Sequence, residues 1–211
     1  PLHQRVTGPG SGTGGGSVRS GAIVVTGRVA QLALQLGLIA ILGRMLTPED
    51  FGVVAYVFPV ALVVQNIANG GLQSAIIQHA SLGDLESSAI FWASLRWNAW
   101  LCAAMATTGP LLALVYRDPR TILLAAAWAL VIFLATLSAI HEAKLNRDFR
   151  FGGVLGAHLA AQVLSIGIAV WAAMNGARYW TFIIQTAVVE IGRVGIVWAI
   201  SAWKPMAPSR L

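Results

Sequence analysis

Leu42–Gly52 reads LGRMLTPEDFG, a polar stretch with a proline set between two long apolar runs. Thr47 is placed to cap a helix, and Pro48 suits the first helical position, where its missing N–H is no loss. Glu49 and Asp50 then put negative charge in the first turn, against the positive end of the helix dipole. One apolar helix therefore ends at this stretch and a second begins within it. The run before it, Gly21–Leu42 (GAIVVTGRVAQLALQLGLIAIL), holds a single charge, Arg28, and has the roughly 20-residue length that crosses the hydrocarbon of a bilayer.

The pattern repeats along the chain. The second predicted span runs from Phe51 to about Ile77, the third from Ser88 to Tyr116, the fourth from Thr121 to Ile140, the fifth from Gly152 to Met174 and the sixth from Tyr179 to Trp203. The expected fold class is all-α, a polytopic transmembrane bundle of six spans. A polar, glycine-bearing patch, Asn66, Asn69, Gly70 and Gly71, marks a place where the second helix can kink or break. Tyr179 and Trp180 open the sixth span and Trp203 closes it, about 23 residues or ~34 Å later, as interfacial anchors do.

Composition agrees with a bilayer as solvent. Of 211 residues, 57% are hydrophobic and 10% charged, against roughly 25% charged in soluble domains, and mean hydropathy is +0.72. Residues 1–17 are expected to form a disordered Gly/Ser-rich tail, 18–204 a six-helix lobe and 205–211 a C-terminal tail. In the first of these Gly10, Gly12 and Gly15 match the dinucleotide pattern G-x-G-x-x-G by letter, but no strand precedes them and no βαβ unit follows.

The net charge of +6 does not indicate nucleic acid, because no Lys/Arg run with interleaved aromatics is present. It does orient the spans. Arg5, Arg19, Lys144, Arg147, Arg150, Lys204 and Arg210 fall on one side, against Arg44, Arg117, Arg120 and Arg178 on the other. The more positive side, which holds both termini, is read as cytoplasmic.

Nothing points to covalent chemistry. Cys102 is the only cysteine, so the chain offers neither an internal disulfide nor a cysteine zinc site. The motifs G-x-S-x-G, H-E-x-x-H and G-x-x-x-x-G-K-[ST] are absent, and His3, His79, His141 and His158 are scattered. The expectation is a protein that is not an enzyme and uses no metal or cofactor. The polar segment HEAKLNRDFRF, His141–Phe151, is expected to be a solvated cytoplasmic loop. Gly152, Gly156 and Ala160 give the fifth span a small-xxx-small packing face. Trp92 is expected at an interface, with Trp97 and Trp100 toward lipid or packing partners.

Polar residues recur at helical spacing: Arg28, Gln31 and Gln35; Asn66, Asn69 and Gln73; His158, Gln162 and Ser165; Thr186, Glu190 and Arg193. A single amide needs no more than a helix-to-helix hydrogen bond, worth about 0.6 kcal/mol. Four such faces together predict a hydrated cavity, since lipid would leave them unsatisfied. Arg28, Arg96, Arg193 and Glu190 would give that cavity three positive charges against one negative, suited to an anionic head group such as a phosphate or pyrophosphate. Two readings stand for Arg28 and Arg96, cavity lining or snorkelling, since each lies roughly six to eight residues (~9–12 Å) inside its span. For Glu190 and Arg193, at i and i+3, the competing reading is a structural ion pair.

The motifs GRMLTPEDFGVVA (Gly43–Ala55), AIIQ (Ala75–Gln78), AIFW (Ala89–Trp92), YRDPR (Tyr116–Arg120) and KLNRDFRF (Lys144–Phe151), in this order, resemble those of bacterial polysaccharide flippases. These are oligosaccharide-lipid and O-antigen exporters of the multidrug/oligosaccharidyl-lipid/polysaccharide superfamily, and the likeness covers Ser17–Lys204. It implies an inner-membrane transporter that moves undecaprenyl-pyrophosphate-linked oligosaccharide to the periplasmic leaflet by alternating access between two lobes. It also implies that cavity arginines engage the pyrophosphate, with Arg28 the best-matched candidate, then Arg96 and Arg193. Gln31, Asn66, Asn69 and Glu190 complete the candidate substrate-binding set. Such flippases have roughly twice this number of spans, so the chain is expected to be the first of two parallel repeats. Its partners are then membrane lipid, the lipid-linked oligosaccharide and a second six-helix lobe. A multidrug antiporter, a membrane enzyme of envelope glycans and a non-transporting remnant lobe are the competing readings.

Overall fold

The turn at Thr47 closes as a reciprocal cap. Its Oγ1 accepts the Asp50 N–H at 3.3 Å, while its own N–H and O–H donate to Asp50 Oδ2 at 3.1 and 2.7 Å, so the orphan donors at the helix start are satisfied. The computed structural model describes residues 14–78, 84–147, 151–201 and 203–206. They form α1 (Gly14–Met45), α2 (Pro48–Gln78), α3 (Asp84–Tyr116), α4 (Arg120–Arg147), α5 (Phe151–Met174) and α6 (Trp180–Ile200). His3, Arg5, Gly10, Gly12, His79, Asp148, Arg150 and Arg210 lie outside the described residues, as do the side chains of Asn69, Gln73 and Lys144.

Five of these helices contain a stretch long and apolar enough to cross a membrane: Val25–Met45, Pro48–Ala68, Leu85–Tyr116, Arg120–Ala139 and Trp180–Ile200. The remaining one, α5, has 24 residues with His158 as its only ionisable side chain, about 36 Å at 1.5 Å per residue. The chain is an all-helical, multi-pass membrane protein.

Within a bilayer, burying a leucine against another leucine gains little over burying it in lipid, so close packing and polar contacts hold the helices together. The central helix is α4: half of its span is buried, against 11–28% for the other four. It packs on α2, α3, α5 and α6, and its Leu124, Ala125, Trp128, Val131 and Ile132 share one core with residues of α2, α3 and α6. Gly109 lets α3 approach it closely. A Cβ there would come within 2.9 Å of the Ile122 Cα and 3.1 Å of the Ala125 Cβ. By contrast α1 rests mainly on α5.

Three turns meet at one end of the bundle. Glu49, at the start of α2, pairs with Arg120 of α4 at 2.7 Å and with Arg178 of the α5–α6 turn at 3.6 Å, and Asp50 pairs with Arg178 at 3.2 Å. Arg120 also binds Asp118 at 2.8 Å, and its guanidinium lies 5.9 Å from the Tyr179 ring centre. The turn that carries Arg178 is set by a glycine: Gly176 adopts φ 75°, and Ala177 N–H and Gly176 N–H donate to the carbonyls of Ala172 and Ala173 at 3.0 and 3.1 Å, closing the end of α5. The acidic start of α2 thus caps its own helix and ties three hairpins at once.

Several sequence expectations need correction. The polar patch of α2 does not break it, for the helix is continuous to Gln78. Residues Gly14–Ser17, expected in the tail, belong to α1, since each residue added to an existing helix gains a hydrogen bond without a new nucleus. Trp203 lies beyond α6, which ends at Ile200, so it does not bracket a span with Trp180. It belongs instead to a returning strap, where Met206 N–H donates to Ser88 Oγ at 3.1 Å and its carbonyl accepts Trp92 Nε1–H at 2.8 Å. Gly156 and Ala160 are exposed, with nothing within 4 Å of a Cβ at Gly156. The close approach of α5 is at Ala161, 3.1 Å from a Cβ at Gly192 of α6. Trp97 and Trp100 are exposed, as read from the sequence. The largest correction is at the end of α4, which continues through Arg147 and absorbs most of the segment expected to be a loop.

Two tests follow. Gly109→Ala should lower stability by about 1–3 kcal/mol through overpacking against backbone, whereas Gly156→Ala should be neutral or gain up to about 1 kcal/mol of helix propensity; thermal unfolding in detergent reads both. The Arg120 guanidinium hydrogen-bonded to Asp118 holds that carboxyl below the usual carboxylate range. A depressed carboxyl adds stability above its unfolded value of about 3.9 and loses it as pH falls through the folded value. The melting midpoint should therefore drop on acidification below about pH 4, and drop less in Asp118→Asn.

Candidate functional site

The extension of α4 brings Ser138, His141, Glu142 and Leu145 onto the face that its core residues begin. Ser138, His141 and Leu145 are all buried. His141 stacks on Trp198 of α6, ring centres 4.5 Å apart, with Trp203 at 5.1 Å and Phe91 at 6.4 Å. Glu142 points toward α5 and α6. Its Oε2 is 3.5 Å from His158 Nε2, and its Oε1 is 3.4 Å from Arg193 Nε.

Arg193 is the hub of this cluster. One turn earlier on α6, Glu190 accepts a hydrogen bond from its Nη2, and the same nitrogen donates to the Ala135 carbonyl of α4 at 3.5 Å. Two carboxylates, a guanidinium and an imidazole are thus gathered from three helices, with side chains 10–22% exposed. A further polar link joins α5 and α6: Gln185 Nε2 donates to Ser165 Oγ at 3.3 Å, and Ser165 donates to the Gln162 carbonyl at 2.8 Å. Glu190 pairs with Arg193, and Glu142 lies between Arg193 and His158, so the carboxylates are held beside the groups that can offset their charge, as a buried charge in a bilayer requires.

Of the seven candidate residues, the structure brings Glu190 and Arg193 together. Arg28 and Arg96 are exposed on α1 and α3, Gln31 is half-buried, and the exposed Asn66 donates from Nδ2 to the Leu62 carbonyl of its own helix at 2.7 Å. None of these four joins the cluster. The side chain of Asn69 lies outside the described residues. The four polar faces accordingly do not converge on one space: those of α5 and α6 face each other and α4, while Arg28 and Gln35 of α1 and Asn66 of α2 are exposed. The expected excess of positive charge does not form around Arg193, which faces two carboxylates.

Glu142 and His141 were hidden by reading their segment as a solvated loop. The available signal was periodicity, because Ser138, His141 and Leu145 continue the spacing of α4 without interruption. Among the described residues, the spaces that border these helices include an apolar groove and a water-sized gap. A groove of about 620 Å³ between α1 and α5 is apolar, lined by residues such as Ala30, Leu34, Leu38, Leu159 and Val163. A water-sized space of about 10 Å³ lies among Gln65, Asn98 and Thr136 of α2, α3 and α4, and the buried Asn98 Oδ1 has no hydrogen-bond partner among the described residues.

The chain matches the sequence profile of a family described as polysaccharide biosynthesis protein over residues 41–211, a stretch that includes the whole cluster. It is 26% identical over 183 residues to the succinoglycan biosynthesis transport protein ExoT of Rhizobium meliloti (strain 1021), an alignment covering 86% of this chain and 37% of that protein. The chain therefore spans well under half the length of this relative. No solved structure matches.

Replacing Arg193 by Leu leaves Glu142 and Glu190 buried without their cation and should cost about 3–5 kcal/mol of stability. Arg28→Leu, at an exposed position, should change stability by no more than about 0.5 kcal/mol. Thermal unfolding of the two variants in one detergent makes the comparison.

Proposed function

The chain belongs to the polysaccharide biosynthesis protein family, and on that footing we propose that it forms one lobe of a bacterial inner-membrane exporter for lipid-linked oligosaccharide. The observation that carries this reading is Arg28. It lies exposed in α1 among exposed Val25, Val29, Leu32 and Leu36, and has no ion-pair partner among the described residues. A cation held against lipid costs up to about 2.5–3.5 kcal/mol at the centre of a span and less toward its end. Facing a hydrated space closed by a second lobe, the same guanidinium offers a planar fork of donors that fits phosphate oxygens bidentately. The cargo is then held by its pyrophosphate, and no bond is made or broken.

Two further features support this division of labour. The chain spans 37% of the length of a relative named as a transport protein, which leaves room there for a second bundle of this size. The Glu49–Arg120–Arg178 ion pairs tie the turns at one end and the Arg193 cluster ties α4, α5 and α6, which suits a lobe that rocks as a body against its counterpart. A cationic drug is the poorer cargo, since Glu142 and Glu190 are both already engaged by His158 and Arg193.

The test is export of exopolysaccharide by cells that depend on the full-length protein. Arg28→Ala should lower export by about tenfold or more, the loss of one charge-assisted hydrogen-bonding group, with the amount of protein in the membrane unchanged. Arg28→Lys should retain part of it, keeping the charge without the fork. Undiminished export by Arg28→Ala overturns the assignment.

A further inference from the structure

The cluster between α4, α5 and α6 is unbalanced in charge unless it carries a proton. With both carboxylates ionised, Glu142 and Glu190 bring two negative charges and Arg193 one positive, so a neutral His158 leaves one uncompensated negative charge among side chains that are at most 22% exposed. Removing such an ion from water costs several kcal/mol. The group able to cancel it is already in place, for His158 Nε2 lies 3.5 Å from Glu142 Oε2.

We propose that the cluster is a proton-binding site: one proton, taken from water and held on His158, makes the four groups neutral and clasps α5 to α4 and α6. The neighbours of His158 from each packed element fit this assignment. Glu142 faces it from α4, and Glu190 and Arg193 belong to the same cluster from α6. His141 of α4 is turned to the rings of Trp198 and Trp203. From α1, Gly27 meets α5 at Leu155, one turn from His158, and the adjacent Arg28 is exposed. Arg193, with two carboxylates around it, cannot neutralise both.

The consequence is mechanical. With the proton bound, every charge is matched inside the bundle. When it leaves, the residual negative charge calls for more water, and separation of α5 from α4 and α6 widens the limited access that side chains 10–22% exposed already have. Proton release is thereby tied to opening of these helices, whatever the protein carries. This role goes beyond export of a glycan, and it rests on the charge count of the cluster alone.

The experiment is ¹⁵N NMR of the full-length protein, histidine-labelled, in lipid nanodiscs at about pH 7, where imidazole and imidazolium nitrogens are distinguished directly. The His158 signal is identified by its loss in His158→Gln. Expected is an imidazolium at His158 in the wild type that becomes neutral imidazole in Glu142→Gln, because one negative charge has been removed. Glu190→Gln gives the same expectation independently, should the first variant fail to fold. A neutral His158 in the wild type, or an imidazolium that persists in both variants, overturns the proposal. No export assay enters these measurements, so their failure leaves the exporter reading standing, and loss of that reading leaves them interpretable.

Discussion

Arg193 sits between two carboxylates, one from its own helix and one from α4, and the packing of the C-terminal helices depends on keeping it there. In water an exposed ion pair contributes little, because solvent serves each partner nearly as well. Between helices in a bilayer that alternative is gone, and an unmatched charge must either drag in water or separate the helices. The positions of α4, α5 and α6 are therefore constrained by Glu142, His158, Glu190 and Arg193 as a set. Apolar packing alone does not supply such a constraint, since lipid competes for every leucine on equal terms.

The opposite end of the bundle uses the same chemistry in a wetter setting. Glu49 and Asp50 reach Arg120 and Arg178, which belong to two other turns, and the Thr47 cap fixes the backbone that presents them. Between the two ionic layers runs α4, the most buried helix, held against α3 by the approach that Gly109 permits. These contacts leave α1 as the helix with fewest attachments, resting mainly on α5 beside an apolar groove. The arginine proposed to meet cargo is thus on the least constrained element, while the buried charges brace the rest. The proposed exporter role, one lobe moving against another, calls for such a division between a rigid body and a face that meets the cargo.

The strap formed by Trp203 and Met206 adds a third fastening. It ties the end of α6 to the start of α3 through Ser88 and Trp92, next to the aromatic group around His141. The sequence reads Trp203 as an interfacial anchor and not as part of a strap, because a tryptophan satisfies either role with the same ring and the same N–H.

Residue order and composition were sufficient for what depends on neighbours along the chain. Six apolar runs of bilayer length, the Thr47–Asp50 cap and the alternation of the turns between two ends all follow from local hydrogen bonding and from the cost of polar backbone in hydrocarbon. The pairing of Glu190 with Arg193 was equally local, one helical turn apart. Only the tertiary structure decided which polar faces meet. Periodicity places His158, Glu190 and Arg28 each on a face of its own helix, but leaves the rotation of one helix against another open, and that rotation buries the first two and leaves the third outside. The same limit hid Glu142. Its neighbours are strongly polar, and a polar run beyond a span reads as solvated unless a partner on another helix is there to receive it, and those partners, His158 and Arg193, lie 16 and 51 positions further along the chain.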